Sequence, residues 1–232
     1  MTTRPKTLTV DQCDQILNAL CNRKASRGPS RRGIRNRTMA LLMLDAGLRV
    51  GEVVALEMSD LYFDLMPVKQ LTVRAAIAKT KTARDIALTE RLEVSLSEFS
   101  RINEDWFELR PNRYAFEGNV PNKPLTTRQV ERIVTRTAMK SIGKPVHPHI
   151  FRHTFASLLS KKTNIRTVQQ LLGHKHITST QIYVHPDQED MKNAILTLPH
   201  SQVNQQEAVL ASTSSPDIAN SADTANAHRD MG

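Results

Sequence analysis

The stretch Asn36-Arg-Thr-Met-Ala-Leu-Leu-Met-Leu-Asp-Ala-Gly-Leu-Arg-Val-Gly-Glu-Val53 decides how this chain folds. Met39, Leu41, Leu42, Met43 and Leu44 crowd its centre and leave no polar stripe. Asn36 to Ala46 is therefore predicted as a helix buried inside a core. Gly47 ends it, because glycine takes the left-handed conformation of a C-cap at little steric cost. Val50 to Met58 follows as a short second helix. Upstream, Thr9-Val-Asp-Gln opens a helix by capping logic: the Thr9 hydroxyl accepts a first-turn N–H and Gln12 reaches back. Ile16, Leu17, Leu20 and Cys21 keep its helical period to about Arg23. The intervening run Asn22–Arg37 carries Arg23, Lys24, Arg27, Arg31, Arg32, Arg35 and Arg37 with no acid, and Gly28-Pro29-Ser30 and Gly33 break it into a loop.

Downstream the composition shifts. Leu61-Tyr-Phe-Asp-Leu, Leu71-Thr-Val-Arg-Ala-Ala-Ile and Arg84-Asp-Ile-Ala-Leu predict a small antiparallel sheet of two or three strands, with the turn Lys79-Thr-Lys-Thr between the last two. Helical patterns resume at Thr89–Arg101, Thr126–Lys140, His149–Lys161, Ile165–Leu172 and about Asp187–Leu196, each behind a polar or proline-containing start. The expected fold class is mainly α with a small antiparallel β-sheet, α+β, across residues 1–196. Residues 197–232 are rich in Ser, Ala, Asn, Gln and Asp and lack an apolar period, which predicts a disordered acidic tail.

Charge narrows the partner. The 232 residues carry a net +9, and the first 196 hold 31 bases against 19 acids, a net of +12. A body that basic, with no amphipathic anchor, favours a nucleic acid over a membrane surface. No apolar run approaches the ~20 residues of a membrane span, and the N-terminus has no apolar signal region. Cys13 and Cys21 stand eight residues apart in one predicted helix, roughly 12 Å along its axis and too far for a disulfide. Reduced thiols and a cytoplasmic setting are expected.

The C-terminal half gathers unusual chemistry: His149-Ile-Phe-Arg152-His153, then Leu171-Leu-Gly-His174, then Tyr183, one of only three tyrosines. His149 and Arg152 stand three apart, on one helix face. A phenol, imidazoles and a guanidinium together suit attack on a phosphodiester: the phenol as nucleophile, the guanidinium on nonbridging oxygens, imidazole moving protons. The same residues taken singly also fit a surface His–Arg pair and a core tyrosine. His147, His149, His153, His174, His176 and His185 supply the ligand type for a zinc site, but neither a Cys cluster nor His-Glu-x-x-His spacing accompanies them. No metal and no cofactor is expected.

Four segments, in this order, carry a resemblance: Ala46-Gly-Leu-Arg-Val-Gly-Glu-Val, His149-Ile-Phe-Arg-His-Thr-Phe-Ala, Leu171-Leu-Gly-His and Thr180-Gln-Ile-Tyr-Val-His. With the lysine turn between the first two, the chain resembles the tyrosine recombinase (phage integrase) family from about Leu8 to Leu196. The resemblance implies a DNA strand breaking-and-rejoining enzyme with no metal and no ATP. Arg49 and Arg152 match the two arginines that clamp the scissile phosphate, a task suited to planar, permanently charged donors. His149 matches the histidine that helps accept the tyrosine proton, and His174 the residue that hydrogen-bonds the phosphate. Tyr183 matches the nucleophile that forms a 3′-phosphotyrosine. The general acid corresponds to Lys79, seven residues before Ile86, with Lys81 as the alternative. Glu52 is expected to hold Arg49 or cap its helix.

Ala87 stands where the family usually has proline, and Ala78-Lys-Thr where it commonly has Gly-Lys-Gly. The resemblance also implies double-stranded DNA as partner, a tetramer on two sites with Asp187–Leu196 packing on the next protomer, and accessory DNA-bending proteins. The chain is expected to be a short form lacking the N-terminal core-binding domain, with Arg27, Arg31, Arg32, Lys81, Arg84 and Arg128 as DNA contacts. The alternatives are type IB topoisomerase-like relaxation and an inactive DNA-binding relative.

Overall fold

Helix α2, Arg31–Asp45, is the axis on which the other elements pack, and its sequence requires that position. From Thr38 to Asp45 every residue is buried, with Ala40, Leu41, Leu42 and Met43 fully so. A helix apolar all round must be covered on every side. In this computed structural model, which describes residues 6–21, 28–102, 112–118, 120–183 and 188–197, α1 (Val10–Cys21), α5 (Glu90–Arg101) and α7 (Pro148–Ser160) pack directly against it. Helix α6 (Thr127–Ile142) lies against α1 and, more lightly, α2. The remaining elements are α3 (Val50–Val54), α4 (Met58–Leu61), β1 (Tyr62–Phe63), β2 (Met66–Pro67), β3 (Gln70–Val73), β4 (Arg84–Ala87), α8 (Ile165–Leu172) and α9 (Thr178–Gln181).

Two units are distinguished, and the second, beginning at Pro186, contributes only α10 (Gln188–Leu196) to the described residues. Met191 and Ile195 on it are more than half exposed. The predicted tail falls, apart from Thr197, outside the described residues, as does Arg27.

Capping places the helix starts largely where the sequence predicts them. Gln12 N–H donates to Thr9 Oγ1 at 3.3 Å and Thr9 N–H to Gln12 Oε1 at 3.3 Å, the reciprocal pair expected at the head of α1. Thr126 caps α6 with the same reciprocal pair, while Thr89 and Asn164 cap α5 and α8 by accepting from the Leu92 and Thr167 amides. Polar ties then lock the layers. Thr38 Oγ1 and Ser95 Oγ meet at 2.9 Å between α2 and α5. The buried Asp45 accepts from Thr89 Oγ1 at 2.7 Å and pairs with Arg91.

The basic loop is shorter than predicted. Arg31, Arg32, Arg35 and Arg37 belong to α2, which Ser30 caps by accepting from Gly33 N–H at 3.0 Å. Gly33 does not break the helix. It lets the first turn press on the end of α1, where a Cβ would stand 2.1 Å from the Cys21 carbonyl oxygen. The predicted second helix stops at Val54, four residues early, and the small sheet is two separate hairpins, β1–β2 and β3–β4. Asp64 and Leu65 both take positive φ, the two-residue turn of a tight hairpin. In β3–β4, Leu71 pairs with Ile86 and Val73 with Arg84, and all four side chains point inward. Helix α9 was not predicted; Thr178-Ser-Thr-Gln has no apolar period for a sequence reading to use. Cys13 and Cys21 are free and buried, as core thiols. Among the described residues no helix is long and apolar enough to cross a membrane.

Gly47 sits at φ +62°, and a Cβ there would come within 2.4 Å of the Phe155 ring. Gly47→Ala therefore adds a left-handed backbone strain of ~1–2 kcal/mol to the cost of displacing a packed ring, for a combined loss of about 2–4 kcal/mol. Urea denaturation should show it as a lower midpoint at unchanged slope. A midpoint within about 0.5 kcal/mol of the parent would contradict this packing.

Candidate functional site

The turn at Gly47 leads directly into the site, because Arg49 is the N-cap residue of α3 and Glu52 lies in its first turn. The Arg49 amide donates to Glu52 Oε2 at 2.9 Å and its Nη1 to Glu52 Oε1 at 3.1 Å. Glu52 is 2% exposed and is also gripped from the other side. Arg84, the first residue of β4, donates Nη1 to Oε1 at 3.1 Å and Nη2 to Oε2 at 2.7 Å, a bidentate fork. Its Nε donates to the Leu171 carbonyl at 3.0 Å. Arg152 of α7, itself buried, donates Nη1 to the Gly47 carbonyl and Nη2 to the Leu172 carbonyl at 2.5 Å. Two guanidiniums thus satisfy carbonyls at the C-terminal end of α8, which have no partner within their own helix.

These contacts set the charge states. Burial alone would raise the Glu52 carboxyl. The hydrogen bond and charge of Arg84, with the Arg49 amide and Arg152, outweigh it and hold the group below the usual carboxylate range. Burial, and after it the Arg49 charge, pulls Arg152 down to about 9, which leaves it protonated at neutral pH. Three guanidiniums share one carboxylate, so the site is net positive.

Tyr183 and His174 complete the cluster. Gly173 closes α8 and turns the chain to His174, whose Nδ1 lies 2.9 Å from Thr180 Oγ1 and whose carbonyl accepts from Gln169 Nε2 at 3.1 Å. Burial, then the charges of Arg152 and Arg49, depress this imidazole to about 4, so at pH 7 it is neutral and offers one N–H. The Tyr183 ring packs with Ala156, Val168 and Leu172, and its hydroxyl lies 2.6 Å from His153 Nδ1. Burial raises the phenol, while Arg152 and then Arg49 pull it down.

The structure therefore brings together Arg49, Arg152, His174 and Tyr183 from the predicted set. His149 is exposed on the first turns of α7, and the partner of the phenol is His153, four residues on along the same face. His153 stands in the His149–His153 motif, but no role for it follows from the sequence. Its signal was the i, i+4 spacing to His149.

Lys79 is exposed on the β3–β4 turn. That turn, through Thr80 and Thr82, faces Gln169, Gln170 and His174 across a cleft of about 730 Å³. Lys81, at φ +58°, folds its Nζ back to the Ala76 carbonyl at 3.4 Å. Arg31, Arg32 and Arg128 are exposed. Arg84 corrects an expectation: it is no surface contact, because its three nitrogens are engaged by Glu52 and Leu171 in the interior. Arg84 and Ile86 share the inward phase of β4, and that period of two was the missed signal. Among the described residues no group of three or more His, Cys, Asp or Glu is arranged to hold a metal. His147 pairs with Glu131, His153 with Tyr183 and His174 with Thr180.

A family model described as the phage integrase family matches residues 6–190. The chain belongs to that family. It is 36% identical over 163 residues to a tyrosine recombinase of Pseudothermotoga lettingae, covering 69% of this chain and 53% of that one. To the tyrosine recombinase XerC of Pseudomonas aeruginosa it is 33% identical over 190 residues, 79% of this chain and 56% of that one. The chain thus spans about half the length of these curated relatives. The crystal structure of XerA recombinase superposes with a TM-score of 0.62 at 27% identity, over 87% of this chain and 68% of that one. The XerH recombinase in a pre-cleavage complex with its difH substrate shares the fold, with a TM-score of 0.61 at 22% identity over 84% of this chain and 55% of that one. The mostly helical catalytic-domain fold with small antiparallel sheets is therefore that of the tyrosine recombinases.

Glu52 yields a pH prediction. Its folded value lies below its unfolded one, so its stabilisation is complete above the ordinary carboxylate range, about pH 4.3, and drains away as pH falls through the folded value. Glu52→Gln should cost about 3–5 kcal/mol at pH 7, since it leaves buried guanidiniums without their counter-charge. Urea midpoints measured from pH 8 to 3 should show that gap constant down to about pH 5 and narrowing below pH 4. A gap independent of pH would contradict the assignment.

Proposed function

We propose that this chain is the catalytic part of a site-specific DNA recombinase that cleaves and rejoins strands through a 3′-phosphotyrosine. The single observation that carries the reading is the Tyr183 hydroxyl, hydrogen-bonded to an imidazole and within the field of the Arg152 and Arg49 guanidiniums. An inactive DNA-binding relative has no use for a phenol held in this way.

In this reading the scissile phosphate lies over the guanidinium cluster. Arg49 and Arg152 take its nonbridging oxygens and stabilise the charge that builds as phosphorus becomes five-coordinate. His174, neutral, donates its N–H to the same oxygens. The Tyr183 oxygen bonds to phosphorus as the bond to the 5′-oxygen breaks, and Lys79, reaching from the β3–β4 turn, gives that oxygen its proton. The phosphotyrosine keeps the energy of the broken diester, so rejoining needs no ATP. A second strand's 5′-hydroxyl then reverses the step.

The exposed bases Arg31 and Arg32 at the head of α2 and Arg128 at the head of α6 serve as phosphate contacts, with affinity falling steeply as salt rises. Arg132, Arg136 and Lys140 follow Arg128 at one-turn intervals, which extends that basic stripe along α6. The family resemblance extends the proposal to a tetramer on two DNA sites, with the exposed Met191 and Ile195 of α10 serving to pack on the next protomer. Relaxation of a supercoiled plasmid by the monomer, without a preferred site, would favour type IB topoisomerase chemistry instead.

The test uses nicked suicide duplexes with a randomised centre, whose cleaved fragment diffuses away and traps the adduct. The parent chain should yield a denaturant-resistant protein–DNA species. Tyr183→Phe should yield none, while DNA binding by gel shift stays within about twofold, because the ring still fills its place and only the hydroxyl is lost. An adduct formed by the Phe variant would remove Tyr183 as nucleophile.

A further inference from the structure

We infer that His153 is the immediate proton acceptor of Tyr183, a catalytic residue distinct from His149. The inference rests on the strand-cleavage reading above and names the base within it.

The geometry is local and closed. Tyr183 is fixed at three points: its amide donates to the Thr180 carbonyl at 3.0 Å, its carbonyl accepts from Ser160 Oγ at 2.9 Å, and its ring is 8% exposed in the small apolar cluster. Those restraints aim the hydroxyl at His153 Nδ1, 2.6 Å away, with ring centroids 5.6 Å apart and planes at 44°. That distance is within the range for a general base and its proton.

The direction of the bond follows from the surroundings of the imidazole. His149 and Arg152 flank it on α7, Tyr183 faces it, and His174 lies close enough for the two rings to influence each other. Burial first, then His149 and Arg152, hold His153 below the ordinary imidazole value. A neutral ring beside a raised phenol leaves one arrangement, in which the phenol donates and Nδ1 accepts, with the ring proton on Nε2. The exposed His149 has no such bond to the phenol among the described residues.

The step balances. The phenol O–H breaks and its proton passes to Nδ1 as the oxygen bonds to phosphorus. The electron pair of the P–O5′ bond leaves on the 5′-oxygen, which takes a proton from the Lys79 ammonium. On rejoining, the 5′-hydroxyl returns a proton to Lys79, and the departing phenolate recovers its own from the His153 imidazolium.

Two measurements test this. In the free chain with ¹⁵N-labelled histidine, NMR at pH 7 should find His153 protonated on Nε2 only, with an Nδ1 signal that moves in Tyr183→Phe. A proton on Nδ1 would overturn the inference without reference to DNA. The second uses duplexes captured by the parent chain from the randomised pool, with capture rates followed from pH 6 to 9. Above about pH 6.5 the parent rate should be flat, because the imidazole is already neutral. His153→Ala and His153→Gln should be slowed about 100-fold or more at pH 7. Their rates should then climb tenfold per pH unit, since hydroxide must remove the proton. Gln keeps a hydrogen-bond acceptor but cannot take up a proton, and it serves as the folded variant if Ala does not fold. Rates within threefold of the parent, or a slow rate with a flat profile, would reduce His153 to a structural role and overturn the inference. Failure of the parent chain to capture any duplex would instead overturn the strand-cleavage reading itself.

Discussion

Three guanidiniums converge around one buried carboxylate, and the rest of the site follows from that inequality. Arg49, Arg84 and Arg152 would repel one another in a low-dielectric interior without Glu52 between them. With it, one charge is neutralised, and its two oxygens take a bidentate fork from Arg84 and a further donor from Arg49. Among the described residues no second acid pairs with this cluster, and the remaining donors reach carbonyls: Gly47 at the turn after α2, and Leu171 and Leu172 at the end of α8. Elements far apart in sequence are thereby fastened to one point, and the residual positive charge is what a phosphodiester would neutralise.

Helix α8 stops at the left-handed Gly173, and its last carbonyls then need donors, which Arg84 and Arg152 supply. The chain then turns at Gly173 and delivers His174 beside the cluster, where burial and the same guanidiniums keep it neutral. A charged imidazole would add a fourth cation to a site with one acid. A neutral one adds a hydrogen-bond donor without that repulsion.

Most of this frame was legible in the sequence because it is written in short-range terms. The density of Met39 to Leu44 demands a surrounded helix, Thr9, Thr89 and Thr126 announce helix starts, and Gly47 announces a stop. What sequence reading missed lies in contacts across long separations or in phase. Arg84 looked like a surface base because arginine usually is one, yet its alternation with Ile86 put it inside. His153 could be quoted but not assigned, since its partner lies thirty residues on, beyond an unpredicted short helix. Gly33 read as a breaker because its use is a close approach between helices, which no local pattern encodes.

The central claim is that Glu52 and Arg84 act as one unit, and a double-mutant cycle measures it directly. Unfolding free energies of the parent, Glu52→Gln, Arg84→Met and the double variant at pH 7 give the coupling between them. The account predicts a coupling of about 2 kcal/mol or more, with the double variant more stable than the additive sum, because removing both partners leaves one fewer buried guanidinium without counter-charge than Glu52→Gln alone. Additivity within about 0.5 kcal/mol would contradict it and reduce the ion pair to two independent residues.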